Sequence, residues 1–199
     1  MKKIFLFVVF WALFFSGCVD KKPIPILAKQ YATINMFASE VKIIDRSLLT
    51  PSKLGFMAEN ENHLPYRIEQ LKDEVKKIIQ NTVRASGGDY KVIVNIENVD
   101  IYETMSSAKQ IPIPFLFIGI EEKVVSSVHL NIDVEDKNGR VIAYTPAIRV
   151  REEIKTPLAT YDEAVRAYSQ NMNNVLDKLH EEIKKQVNRT LYNYSNSKI

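Results

Sequence analysis

The chain has one cysteine in 199 residues, so no disulfide can form within it. Its three histidines, His63, His129 and His180, stand far apart. With no free thiol to join them, they make no set at the spacings a zinc site uses. Glycine is scarce, and the pair Gly87-Gly88 follows a helical pattern rather than a strand. That placement predicts a helix stop, not a loop that cradles phosphate. An excess of one charge is also missing. Lys2 and Lys3 account for two of the 27 Lys and Arg, so the remainder carries 25 against 24 Asp and Glu. A near-neutral chain lacks the basic field that nucleic-acid binding requires. The acidic pairs Glu121-Glu122, Glu152-Glu153 and Glu181-Glu182 are adjacent in sequence. Adjacent side chains diverge in both helices and strands, so these pairs do not flank a substrate as acid and base. Ser126-Ser127 lacks the strand-turn-helix setting of a nucleophile elbow. These absences predict a protein that is not an enzyme, with no cofactor, no metal and no nucleic-acid partner.

Long hydrophobic runs are missing too. The longest opens the chain, from Ile4 to Phe15 behind Lys2 and Lys3. It is about a dozen residues, against the roughly 20 a spanning helix needs. A basic start, a short apolar core and then small residues make a secretory signal. Here the small residues are Ser16 and Gly17, and they end at Cys18. Phe15-Ser16-Gly17-Cys18 resembles the lipobox of bacterial lipoproteins, with Phe15 where that family usually has Leu. The resemblance implies cleavage before Cys18, diacylation of its thiol and acylation of the new amino terminus. Two or more acyl chains anchor stably where one binds marginally. Residues 1–17 are then the signal and 18–25 a lipidated cysteine with a short tether. Residues 26–190 form one domain, and 191–199 a frayed tail.

The rest of the chain has the periodicities of a packed domain. Tyr31 to Phe37 fits a strand or a short helix, and Val41 to Asp45 fits a strand. Leu49 to Leu64 is a loop. Pro65 opens a helix whose stripe is Ile68, Leu71, Val75, Ile78, Ile79 and Val83. Tyr90 to Thr104 alternates with a phase slip, which a bulge near Glu97-Asn98 would absorb. Val124 to Val134 alternates cleanly, with Ser127, His129, Asn131 and Asp133 on the polar side. Asp136 to Gly139 is a hairpin turn, and Val141 to Glu153 is its return strand, interrupted at Pro146. Thr160 with Glu163 caps a second amphipathic helix that runs to about Val187. This order predicts an α+β two-layer sandwich: an antiparallel sheet with two amphipathic helices packed on one face.

One segment breaks the patterning. Ile111 to Ile120 carries no charge and sits between two strands, where a polar turn is expected. Pro112 and Pro114 bar it from a central strand. Either it folds back over a sheet edge or forms a short extra strand with Phe115 to Ile120, or it is an exposed loop that meets a protein partner or the membrane surface through Ile111, Pro112, Pro114, Phe115 and Phe117.

A lipobox followed by a helix, two long strands joined by Asp136-Lys-Asn-Gly139, and the helix of Tyr161-Asp-Glu-Ala-Val-Arg-Ala-Tyr resembles a known group. It is similar to the small lipoproteins auxiliary to ABC-type lipid transport, over roughly Pro65 to Val187. In outline it also resembles the YajG-type outer-membrane lipoproteins and the lipopolysaccharide-assembly lipoprotein that plugs a barrel. Val19-Asp20 departs from the Gly-Tyr that usually follows the cysteine in the last of these. The resemblance implies a lipid-anchored envelope protein that docks an envelope protein partner in a transport or assembly system. Asp is absent directly after Cys18, which by the same resemblance implies sorting to the outer membrane, facing the periplasm. The alternatives are a periplasmic carrier of lipid or a small ligand, and a structural envelope role.

Overall fold

The computed structural model describes residues 24–27, 29–47, 64–105, 122–156 and 161–196. In chain order its elements are β1 (Ile34–Met36), β2 (Glu40–Asp45), α1 (Leu64–Thr82), β3 (Val83–Ala85), β4 (Lys91–Met105), β5 (Glu122–Glu135), β6 (Val141–Tyr144), β7 (Ile148–Thr156) and α2 (Tyr161–Asn196). β5 pairs antiparallel with β4 on one side and with β6 and β7 on the other. α1 lies over β4, and α2 over β5 and β7. The fold is the α+β two-layer sandwich that the sequence predicts.

The sheet differs from the expectation in one respect: it is mixed. β2 runs parallel to β4, with Val41 opposite Val92 and Ile43 opposite Val94. α1 lies between them in sequence, and a helical crossover returns the chain in the same direction. A second, two-stranded sheet pairs β1 with β3, also in parallel.

The phase slip in β4 is a bulge, with the register shifting between Ile96 and Asn98. It brings Val92, Val94, Ile96, Val99 and Ile101 into one core, each at most 1% exposed. Across from them stand Val128, Leu130 and Ile132 of β5, and above them Leu71, Val75 and Ile79 of α1 and Met172, Val175, Leu176 and Leu179 of α2. Burying each such side chain contributes about 1.5–3 kcal/mol. The hairpin turn sits at Asp136 to Gly139, where Gly139 has φ 77°. Asp136 Oδ1 accepts from the N–H groups of Asn138 and Arg140 at 2.8 and 3.0 Å. The Arg140 N–H leads in holding that carboxyl below its usual range. Pro146 interrupts the returning strand, dividing β6 from β7.

Both helix ends depart from the sequence reading. α1 stops at Thr82, before Gly87-Gly88, because Val83–Ala85 leaves the helix to pair with β1. The glycines turn the chain into β4 instead, with φ of 90° and 142°. α2 continues to Asn196, well past Val187. No glycine or proline interrupts the sequence there. The capping pair Thr160 and Glu163 and the loop 49–63 fall wholly or partly outside the described residues.

Candidate functional site

The first described residues form a strap along both helices. Ile24 is 3% exposed; its N–H donates to Gln70 Oε1 at 3.0 Å, and its carbonyl accepts from Gln70 Nε2 at 2.7 Å. Ser169 Oγ donates to the Pro25 carbonyl, and Leu27 N–H donates to Asn173 Oδ1 at 2.9 Å. Lys29 pairs with Asp177, whose other oxygen accepts from the Tyr31 hydroxyl at 3.1 Å. Burial first, and then the Asp177 carboxylate, push the Tyr31 hydroxyl pKa well above its ordinary value. Thr33 Oγ1 ends the run by donating to the Asn81 carbonyl at 3.0 Å. Ile24, the first described residue, is thus already packed into the domain.

The strap fixes which end of the domain is which. Ile24 and Pro25 sit at Gln70 of α1 and Ser169 of α2. Two residues along α2, Asn171 Nδ2 donates to the carbonyls of Val124 in β5 and Glu152 in β7, at 3.0 and 3.2 Å. The Ser126 hydroxyl donates to Asn171 Oδ1. The end of the domain at which Ile24 lies therefore also holds Met105 and Glu122, which pair with each other and flank residues 106–121. Cys18, Ile111, Pro112, Pro114, Phe115 and Phe117 themselves lie outside the described residues.

At the opposite end the strap closes on an apolar cavity of about 180 Å³. It is lined by Met36 and Phe37 at the end of β1, Tyr90 and Val92 at the start of β4, Val134 of β5, Ala143 of β6 and Thr190 of α2. The wall is held by close backbone contacts. Ser86 donates from both N–H and Oγ to the Met36 carbonyl at 2.9 and 2.8 Å, and Ser39 N–H donates to the Tyr90 carbonyl at 2.7 Å. A Cβ on Gly88 would lie 2.8 Å from the Phe37 oxygen, so only glycine lets the turn approach this closely. Phe37 is nonetheless 67% exposed at the rim, and Tyr144 of β6 is 71% exposed. This cavity is invisible in the sequence: its seven lining residues come from five separate stretches of chain. The one available signal is Met36-Phe37, at the end of a segment whose pattern fits two secondary structures.

The sheet face away from the helices is polar along β5, as the alternation predicts. Asn95 Nδ2 donates to Asn131 Oδ1 and to Asp133 Oδ2, both at 2.9 Å. Arg149 Nε–H donates to His129 Nε2 at 3.4 Å, and Lys123 pairs with Glu153 at 2.6 Å. Val125 belongs to this face by register but is fully buried. His180, on α2, is deeply placed. It is 4% exposed, its Nδ1 is 3.0 Å from Thr82 Oγ1, and the Tyr31 ring lies 4.8 Å away. Burial lowers its pKa from the usual value, so the ring is neutral at pH 7. Among the described residues no three His, Cys, Asp or Glu side chains gather as a metal set, and no helix is long and apolar enough to cross a membrane.

No family model matches the chain, and no curated protein matches it. Solved structures do. A minor lipoprotein from Acinetobacter baumannii is 15% identical with a TM-score of 0.42, over 83% of this chain and 96% of that one. The rare lipoprotein B from Shewanella oneidensis is 10% identical with a TM-score of 0.40, over 75% and 98%. A neuraminyllactose-binding hemagglutinin homolog from Helicobacter pylori is 16% identical with a TM-score of 0.34, over 86% and 97%.

Proposed function

We propose that this chain is a non-enzymatic bacterial envelope lipoprotein, held to a membrane leaflet by acyl chains on Cys18. Its domain docks a protein partner in a lipid-transport or envelope-assembly system. The leaflet is the periplasmic face of the outer membrane. The observation that carries the reading is the strap: the chain that would bear the lipid is clipped to both helices from Ile24 onward. A fixed exit, and not a loose leash, is what an anchored docking module needs. The tether, at most roughly 20 Å long for six residues, then holds the domain close to the bilayer. The apolar segment with Ile111, Pro112, Pro114, Phe115 and Phe117 leaves the sheet at the same end, between Met105 and Glu122. It is the partner-binding segment, meeting a membrane-embedded partner at the bilayer surface.

Replacing Cys18 by Ser tests the anchor. The variant is expected in the soluble periplasmic fraction; a variant that stays with the membrane would overturn it. Cross-linking from a photoreactive residue at Phe117, in cells, tests the docking. An adduct with an envelope protein is expected, and a probe that reacts with lipid or with nothing overturns it.

A further inference from the structure

We infer that the end of the domain opposite the tether takes an extended segment of a protein partner. That segment adds as a strand to β6 and seats one large apolar side chain in the cavity beside Ala143. The inference rests on the docking reading above and names a second contact within it.

Three observations select this occupant. The first is size. A cavity of about 180 Å³ is close to the engineered 150 Å³ cavity that holds one benzene. It is below the roughly 300 Å³ at which ligand sites begin. One ring or branched side chain fits, and an acyl chain does not.

The second is the sheet edge. β2 exposes Glu40 and Lys42, and β7 exposes Arg149, Arg151, Glu153 and Lys155. Charges of this kind blunt edge strands against pairing. β6 reads Val141-Ile-Ala-Tyr144, without a charge, and among the described residues no strand pairs with its outer edge. Thr145 N–H donates inward to the Ile132 carbonyl at 2.8 Å. By alternation the N–H and C=O of Tyr144 point out of the sheet. A strand added there gains backbone hydrogen bonds, and its alternate side chains fall on the cavity side next to Ala143.

The third is position. From Ser169 to Thr190, α2 rises roughly 30 Å, so the cavity opens well away from the bilayer that holds Cys18. Lipid of that leaflet does not reach it, whereas a protein that spans the envelope compartment does.

The test uses the full acylated chain in its native membranes, with a photoreactive phenylalanine analogue at Val141. The expected result is a protein adduct whose yield falls at least tenfold in Ala143→Trp, which fills the cavity. It falls at least tenfold also in Tyr144→Pro, which removes the outward N–H and leaves both the cavity and the β5 pairing intact. Retained membrane anchoring and protease resistance show that both variants fold. An adduct with lipid, with a second copy of this chain, or with a protein at a yield that both variants leave unchanged overturns the inference. So does no adduct at Val141. In the last case an adduct at Phe117 leaves the docking reading standing, and silence at both positions removes the two together.

Discussion

Asn171 offers the sharpest test of how the two layers are joined. It is fully buried, as is Ser126 below it. Its amide nitrogen donates to carbonyls of both β5 and β7, and its oxygen accepts from the Ser126 hydroxyl. Asn171→Ala removes these bonds, each worth about 1 kcal/mol net, and strands the Ser126 hydroxyl at a further 1–3 kcal/mol. The expected loss is about 4–6 kcal/mol. Ser126→Ala alone is expected to lose about 1–2 kcal/mol, since Asn171 keeps its two donated bonds. The double variant should lose less than Asn171→Ala by itself, about 3 kcal/mol, because no hydroxyl remains to be stranded. The coupling is then at least about 2 kcal/mol, well outside the few tenths seen for independent sites. Urea unfolding of the chain from residue 19 onward, with the four proteins compared at one pH, reads it directly. Losses that simply add, or an Asn171→Ala cost below about 1 kcal/mol, would refute the claim that this amide pins α2 to the sheet.

Other expectations follow from single positions. Gly87→Ala meets nothing within 4 Å, whereas Gly88→Ala meets the Phe37 backbone at 2.8 Å. Both carry the strain of a positive φ, about 1–2 kcal/mol, so Gly88→Ala should melt several degrees lower than Gly87→Ala; equal melting temperatures would deny the close approach. His180 has a pKa below the usual 6.5 because burial disfavours its charged form. Below that pH the unfolded chain takes up the proton first, so stability should be flat above it and fall as the pH drops through it. His180→Phe should remove that slope, and an unchanged slope in denaturant midpoints from pH 7 to 5.5 would show that another group sets it. Burial tends to raise the Asp45 pKa, but hydrogen bonds from Ser47 and Lys76 and the charge of Lys72 outweigh it and bring it down to about 2. Its contribution, about 1 kcal/mol or less once solvent screening at this exposed position is counted, is present above its unfolded value and is lost as the pH falls from about 4 towards 2. Asp45→Asn should flatten acid unfolding in that window.

The elements legible in the sequence are those set by local alternation. The β4 bulge was readable because Val92, Val94 and Ile96 fall on one parity and Val99 and Ile101 on the other. The break at Pro146 and the turn at Asn138-Gly139 carry their own backbone chemistry. Helix α1 was misjudged at its end because Val83 fits the helical stripe by spacing, while its pairing with Ile34 is decided 49 residues away. The parallel pairing of β2 was hidden for the same reason: its partner lies beyond a whole helix. Of the candidate sites, Cys18 and the Ile111 segment are composition signals, readable because they violate the pattern around them. The distal cavity violates nothing locally. Each of its wall residues is ordinary in its own stretch, and only the closing of the strap on the sheet brings them together. Asn171 was likewise unreadable, since a polar residue on a helix declares itself as a tie only when the carbonyls above it are seen.

The strap has a mechanical consequence. If Cys18 carries the acyl chains proposed above, a pull on them would reach the described chain at Ile24 and act along the strap's length. Its clips to Gln70, Asn173 and Asp177 are therefore loaded together in shear rather than unzipped one after another. At the other end of the same strand of chain stand Met36 and Phe37, the wall of the cavity. Tension on the anchor and the shape of the distal mouth are thus linked by thirteen residues of one chain running from Ile24 to Met36. Force that passed those clips would reach that wall along the chain itself, without crossing the core.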